Sequence, residues 1–335
     1  MFISTSDGCR KFVRDAPHRT RHTVRISSGA PTIYHTTEKL YGLQYWPTWV
    51  GVFFVRILSL MPLPFLYYVG GLFGDVLRVC VPSRRHIASR NLQLCFPNHS
   101  ALEHKLLLRR NFRNTARMFL LSGFVWWGTK KAFDQSITFK NEHYLANANN
   151  KGRGVILLAP HFVAMEVAGM YVSSRYPSVS IYQNNRNKVL DKLMLQARSR
   201  FGGKMFERKS DLKSLIRSIR DGMICYYLPD QDPGPRRAVF APFFNVPTAT
   251  WPVLGRMARM TRAVVLPCTA RILEGGKGFE VILDPPLEDF PTGDTQLDSE
   301  TMNRAIEQCV RRLPDQYFWV HKRFKTRPPG SKAIY

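Results

Sequence analysis

The sequence predicts an α/β fold: a mixed, largely parallel sheet covered by helices, preceded by a membrane-associated helical segment. Three observations predict it. From residue 83 onward, short apolar runs alternate with stretches of helical period. The runs are continuous and apolar, as strands buried on both faces require. Ahead of them lies a nearly uncharged stretch, residues 40–82.

The elements follow in order. Residues 1–39 are polar and basic, without amphipathic period or the apolar core of a secretory signal. They read as a disordered tail, or as sequence upstream of the true start. In residues 40–82, Arg56 divides two apolar stretches, each slightly short of a spanning helix. Pro62 and Pro64 break any helix there. Trp46, Trp49, Tyr67 and Tyr68 suit a membrane interface, and Arg78, Arg84, Arg85 and Arg90 suit its cytoplasmic side. The expectation is an anchor, either one tilted span or two interfacial helices. The plainer reading is a buried apolar hairpin.

Residues 83–330 then read as one catalytic-sized domain, with a short tail over 331–335. Residues 101–127 form a helical region. GVILLAP (154–160) reads as a buried strand, VAMEVAGMYVSS as a helix and SVSIYQ (178–183) as a strand. In DLKSLIRSIRDG, Leu212, Leu215, Ile216 and Ile219 make an apolar helix face that Gly222 stops. MICYYLPDQD is a strand and WPVLGRMARMTR a helix. AVVLPCTARI and FEVILDPP are strands around EGGKG. Asp298 is the expected cap of a last helix, whose apolar face is Met302, Ala305, Ile306, Cys309, Val310 and Leu313. The aromatic clusters FAPFF (240–244) and YFWV (317–320) read as core before they read as a lipid pocket.

Composition narrows the partners. Lys and Arg total 49 against 24 acids, a net charge of +25. That excess suits nucleic acid or an anionic membrane; an ordinary solvated basic surface is the plain alternative. The basic residues are spread through the α/β body and no nucleic-acid motif is present, so no nucleic-acid partner is expected. Six cysteines include no C-x-x-C pair, which favours buried, reduced thiols over a zinc site or disulfide framework. No metal site and no cofactor are expected.

In open α/β sheets, ligands bind beyond the carboxyl ends of the strands. Two polar groups stand there: His161 after GVILLAP, and Asp230 with Asp232 after MICYYLP. Glu166 follows His161 by five positions. On one continuous helix that spacing is a rotation of about 500°, leaving the side chains about 140° apart. If His161 lies in the strand-to-helix turn, the chain can fold back and Glu166 can reach an imidazole nitrogen. The pair would then be a general base and the carboxylate that fixes its tautomer. The plainer reading is a structural histidine and a surface acid. The sequence contains no G-x-S-x-G, H-E-x-x-H or P-loop, so a base would act directly on a substrate hydroxyl.

Four blocks together resemble one family: NLQLCFPNHS (91–100), the H-x-x-x-x-E block, YLPDQDPGPRRAVFAPFFNVPTAT (227–250) and PDQYFWVHKRFKTRPPG (314–330). They are similar to the lauroyl/myristoyl acyltransferases of lipid A biosynthesis in Gram-negative bacteria. The resemblance implies a glycerolipid-acyltransferase-like fold and an acyltransferase without metal or cofactor. It implies transfer of an acyl chain of lauroyl to myristoyl length from acyl carrier protein to a hydroxyacyl hydroxyl of a Kdo-bearing lipid A precursor. The implied place is the cytoplasmic face of the inner membrane, among anionic lipids. His161 and Glu166 match the family's catalytic motif, Arg198 its arginine after the second strand, and Asp230 its aspartate. Arg198, Arg236, Arg237 and Arg186 are candidates for the acceptor's phosphates and carboxylates, with Asp230 and Asp232 holding arginines or sugar hydroxyls. Gln183, Asn184 and Lys188 stand where family members often carry an arginine and prolines. Two other readings stand beside it: a glycerophospholipid acyltransferase, which the block WVHKRFKTRPPG argues against, and a non-catalytic basic protein that binds membrane or nucleic acid.

Overall fold

The computed structural model describes residues 40–150, 153–207, 212–236 and 238–335. The tail expected over residues 1–39 and the candidate Arg237 lie outside the described residues.

Seven strands form the main sheet: β1 (Ile137–Lys140), β2 (Val155–Leu158), β3 (Ser178–Tyr182), β4 (Lys204–Glu207), β5 (Ile224–Tyr227), β8 (Val264–Ile272) and β9 (Phe279–Leu283). Their order is β1-β9-β8-β2-β5-β3-β4. All neighbours run parallel except β8 and β9, an antiparallel pair. The mixed, largely parallel α/β sheet is therefore as the sequence predicts. The EGGKG turn joins β8 to β9 with Gly275, Gly276 and Gly278 all at positive φ, where side-chain-bearing residues are strained. β2 and β5 are buried at every position, which is why they read as continuous apolar runs.

Helices cover both faces. Ile156 and Leu158 of β2 belong to one core, shared with α9 (Leu212–Arg220), α10 (Val253–Thr261) and α11 (Thr295–Arg312). Val155 and Leu157 belong to the other, shared with α7 (Met165–Arg175), α2 (Leu63–Cys80) and α4 (Ala101–Trp127). Ser100 caps α4 in a capping box with Glu103. The cap of α11 is a correction. Asp294, not Asp298, accepts from the N–H groups of Gln296 and Leu297. Asp298 lies inside the first turn, where it accepts from the backbone and hydroxyl of Thr292. The six apolar side chains expected on that helix are all buried.

The apolar stretch forms two helices, α1 (Trp46–Leu58) and α2. The break lies between Leu58 and Leu63, with Pro62 the N-cap of α2, whereas Pro64 sits inside the first turn of α2, where proline is tolerated, and does not break it. α2 packs tightly on α4. A Cβ added at Gly74 would stand 2.5 Å from the Arg113 Cα, so only glycine permits this approach. Asp75 bridges Arg109 and Arg113 of α4 at 2.8 and 2.5 Å. On their other sides α1 and α2 leave Trp46, Phe53, Phe54, Tyr68, Leu72 and Val79 exposed. Leu63–Cys80 is the one described helix long and apolar enough to cross a membrane. A small antiparallel hairpin, β6 (Val239–Phe243) and β7 (Val246–Thr250), turns through Phe244 and Asn245, both at positive φ. It packs against α11, and FAPFF and YFWV are mainly core: Phe243, Phe244, Tyr317 and Trp319 are all buried.

Candidate active site

β2 and β5 are parallel neighbours, so the residues that follow them meet at one edge of the sheet. His161 leaves β2 in a non-helical turn, and α7 begins only at Met165. Asp230 leaves β5 opposite it and is almost fully buried. The His161 Nδ1 lies 2.6 Å from Asp230 Oδ1, and the His161 backbone N–H donates to Asp230 Oδ2 at 2.8 Å. The Tyr317 hydroxyl donates to the same Oδ2 at 2.8 Å. Burial pushes the Asp230 carboxyl up, but the His161 charge, the two His161 hydrogen bonds and the Tyr317 hydroxyl outweigh it. The net result is a pKa lowered to about 2. Burial and the nearby Asp230 charge in turn push the Tyr317 phenol well above its usual range.

This carboxylate corrects the expectation for Glu166. The group on the imidazole is Asp230, and Glu166 pairs with Arg198 instead. Glu166 falls in the first turn of α7. There it meets Arg198 in the last turn of α8 (Lys188–Ser199), whose Nε reaches the two Glu166 oxygens at 3.0 and 3.2 Å and whose Nη2 also donates to Oε1. Burial lowers the Arg198 pKa, yet the Glu166 charge and hydrogen bonds raise it overall.

The C-terminal segment straps this edge from outside. Phe162 and Tyr317 form an antiparallel bridge. The Phe318 N–H donates to the His161 carbonyl at 2.9 Å, and the Val163 N–H to the Gln316 carbonyl at 2.8 Å. Asn111 and Asn91, buried in α4 and α3 (Pro82–Cys95), donate to the carbonyls of Tyr317 and Trp319, each at 2.7 Å. Asp232 orders the next loop by accepting from Gly234 and from the N–H and hydroxyl of Thr326. Nearby, burial and the His161 charge lower the pKa of His321.

His161, Glu166, Arg198 and Asp232 all border one cavity of about 850 Å³. Its walls include Val179, Ile181, Tyr227, Ile216 and Met257 on one side of β3, with Ser178, Ser180, Gly169 and Ser173 on the other. The imidazole is held from Nδ1, and Nε2 has no protein partner among the described residues. That arrangement can accept a proton from a hydroxyl placed in the cavity.

The sequence profile of the bacterial lipid A biosynthesis acyltransferase family matches residues 34–326. The chain belongs to this family. It is 32% identical to the lipid A biosynthesis lauroyltransferase of Escherichia coli (strain K12), over 87% of this chain and 95% of that one. It is 30% identical to the palmitoleoyltransferase of the same organism, over 87% and 95%. The corresponding myristoyltransferase is also 30% identical, over 87% and 91%. This lipid A acyltransferase is therefore an enzyme of acyl transfer, as its sequence blocks imply.

The sequence-predicted residues separate into two groups. His161, Glu166, Arg198, Asp230 and Asp232 converge on the cavity edge. Arg186 and Arg236 are exposed on loops and do not border the cavity. Tyr317 is the residue that sequence reasoning missed. It sat inside a block already quoted for the family resemblance, but its aromatic neighbours marked it as core, and nothing local ties it to Asp230.

Proposed function

We propose that this enzyme transfers a fatty acyl group from acyl carrier protein to the hydroxyl of a hydroxyacyl chain on a Kdo-bearing lipid A precursor. The observation that carries the reading is a cavity-facing imidazole whose Nδ1 is held by a buried carboxylate. With Nδ1–H donated to Asp230, Nε2 is the basic nitrogen. It takes the proton as the hydroxyl oxygen attacks the thioester carbonyl. The tetrahedral intermediate collapses, the C–S bond breaks, and His161 returns the proton to the leaving sulfur. Asp230 stays ionised and stabilises the imidazolium between these steps. The amino end of α7, at the cavity wall, supports the negative charge on the oxygen.

Glu166 and Arg198 form the second functional pair. Glu166 fixes the guanidinium at the wall, and the guanidinium meets an acceptor phosphate. Arg186 and Arg236, exposed outside the cavity wall, are the candidates for more peripheral contacts to phosphate and sugar carboxylate, and Arg237 is a candidate by its sequence alone. The apolar wall of Val179, Ile181, Ile216 and Met257 suits a lauroyl or myristoyl chain. In this reading the enzyme works at the cytoplasmic face of the inner membrane, and the exposed apolar side chains of α1 and α2 support its seat on the bilayer. Because α2 is bound along its length to α4, which carries Arg109 and Arg113, both helices lie in the interface instead of spanning it.

The test is an acyl-transfer assay with purified protein. Lauroyl-, myristoyl- and palmitoleoyl-carrier protein serve as donors, and a lipid A precursor or a lysophospholipid as acceptor. Transfer to the lipid A precursor is expected, with His161→Ala slower by ~10²- to 10⁴-fold. Acylation of the lysophospholipid alone, or near-normal turnover by His161→Ala, would refute the reading. Mass spectrometry of lipid A from a strain lacking the gene identifies the missing chain and its position.

A further inference from the structure

We infer that the exposed cationic face of α9 and α10 is the docking surface for the donor's carrier, a small acidic protein that delivers its thioester into the cavity from that side. The inference rests on the reading of the donor as a carrier-bound thioester.

The first observation is charge. Lys213, Arg217 and Arg220 on α9, Arg256 and Arg259 on α10, and Arg262 just after it are all exposed. Neither helix contains an Asp or Glu; Asp221 follows α9. Among the described residues, none of the six cations forms an ion pair, and Arg220 is spent on the Met260 carbonyl at 2.7 and 2.9 Å. The two helices pack side by side. Like charges so gathered repel one another, and an anionic partner relieves that repulsion while steering its own approach.

The second observation is where this face leads. Leu212, Arg256 and Met260 border the cavity that His161 borders. Leu212 and Met260 are also 59% and 50% exposed. A small apolar spot ringed by cations at a cavity mouth fits a protein helix with an apolar centre and an acidic rim.

The third observation separates this surface from the lipid. α9 and α10 cover the sheet face of Ile156 and Leu158, whereas α2 buries Leu66 and Tyr67 in the layer over Val155 and Leu157. A bilayer seated on the apolar side chains of α1 and α2 thus leaves the α9–α10 face to a soluble partner. The acceptor and the donor approach the histidine from different layers.

The experiment compares the full-length enzyme with a Lys213→Glu/Arg217→Glu/Arg259→Glu variant on two donors, acyl-carrier protein and the small thioester acyl-pantetheine. Binding to anionic vesicles is measured in parallel. With the carrier donor, kcat/KM should fall by ~100-fold, and the salt dependence of the wild type should disappear. With acyl-pantetheine, kcat/KM should be unchanged, and so should vesicle binding. Unchanged kinetics on the carrier donor would overturn the surface. Equal losses on both donors would also overturn it, because the cavity itself would then be damaged. Loss of vesicle binding in place of carrier kinetics would assign the surface to lipid. A wild type that accepts no carrier-bound donor at all would instead sink the donor reading on which the surface rests.

Discussion

Replacing Asp230 with Asn tests the assignment of the carboxylate that works with His161. The substitution keeps shape and volume at a position 1% exposed but removes the charge 2.6 Å from Nδ1. The imidazolium that forms during turnover then loses its counter-charge. At ~4 Å and an effective dielectric of ~20, that attraction is about 4 kcal/mol. Each factor of ten in rate corresponds to about 1.4 kcal/mol, so kcat should fall by ~10³-fold. The amide can also present its NH₂ to Nδ1 and select the wrong tautomer, which acts in the same direction. Steady-state kinetics of Asp230→Asn beside Glu166→Gln, with thermal melting to confirm folding, make the assay. The double variant His161→Ala/Asp230→Asn should be no slower than His161→Ala alone, because the carboxylate acts only through the ring. The reasoning is refuted if Asp230→Asn stays within ~10-fold of wild type while Glu166→Gln loses ~10³-fold. Glu166 would then be the carboxylate that meets the imidazole in the working complex.

Other outcomes follow from the same contacts. Tyr317→Phe removes a hydroxyl donor to a buried charge, a loss of about 1.5–3 kcal/mol, and should slow kcat ~10- to 100-fold with the protein still folded. Ile216→Phe narrows the apolar wall. Each methylene the cavity no longer takes costs about 0.8 kcal/mol, so donor preference should shift to shorter chains by ~4-fold per methylene in competition assays. Phe53→Asp with Leu72→Asp should release the enzyme from vesicles while leaving the melting temperature near wild type, since both side chains are exposed. The depressed Asp230 pKa makes stability pH-dependent. The carboxyl stands at about 2 in the fold against an ordinary 3.8. Its contribution, about 2 kcal/mol, is therefore present above about pH 4 and lost as pH falls through about 2. The gap in unfolding free energy between wild type and Asp230→Asn should close over that window.

The parts of the fold that were legible are those with a strong local signal. β2 and β5 are apolar at every position because both faces are covered, α11 shows a clean buried stripe, and α9 buries Leu215, Ile216 and Ile219 of its predicted face but leaves Leu212 exposed. The unread strands lacked such a signal. β1 and β4 are four-residue edge strands, exposed or half-buried throughout, so their composition resembles loop. The β6–β7 hairpin carries a proline in each strand and turns at Phe244-Asn245, where no glycine marks the reversal. The Asp298 cap was misplaced by one turn because Asp294 and Asp298 both precede the apolar stripe, and burial alone decides between them.

The pairing of His161 with Asp230 was illegible for a different reason. His161 and Glu166 are close in sequence, so a local rule could propose them; His161 and Asp230 are 69 positions apart, and no local rule could. What joins them is sheet order, in which β5 rather than β3 lies beside β2. The chain crosses from β2 to β3 and β4, then returns to insert β5 between β2 and β3. That return brings the polar end of MICYYLPDQD to the polar end of GVILLAP. Both ends were recognised as candidate ligand positions, but adjacency is a property of the tertiary crossover, not of either segment. The same holds for Tyr317, which reaches Asp230 because Asn91 and Asn111 clamp the C-terminal strap across the sheet edge. A helix-borne glutamate is thereby left to hold Arg198, and one cavity edge carries a histidine–carboxylate pair and an arginine–carboxylate pair from four separate segments.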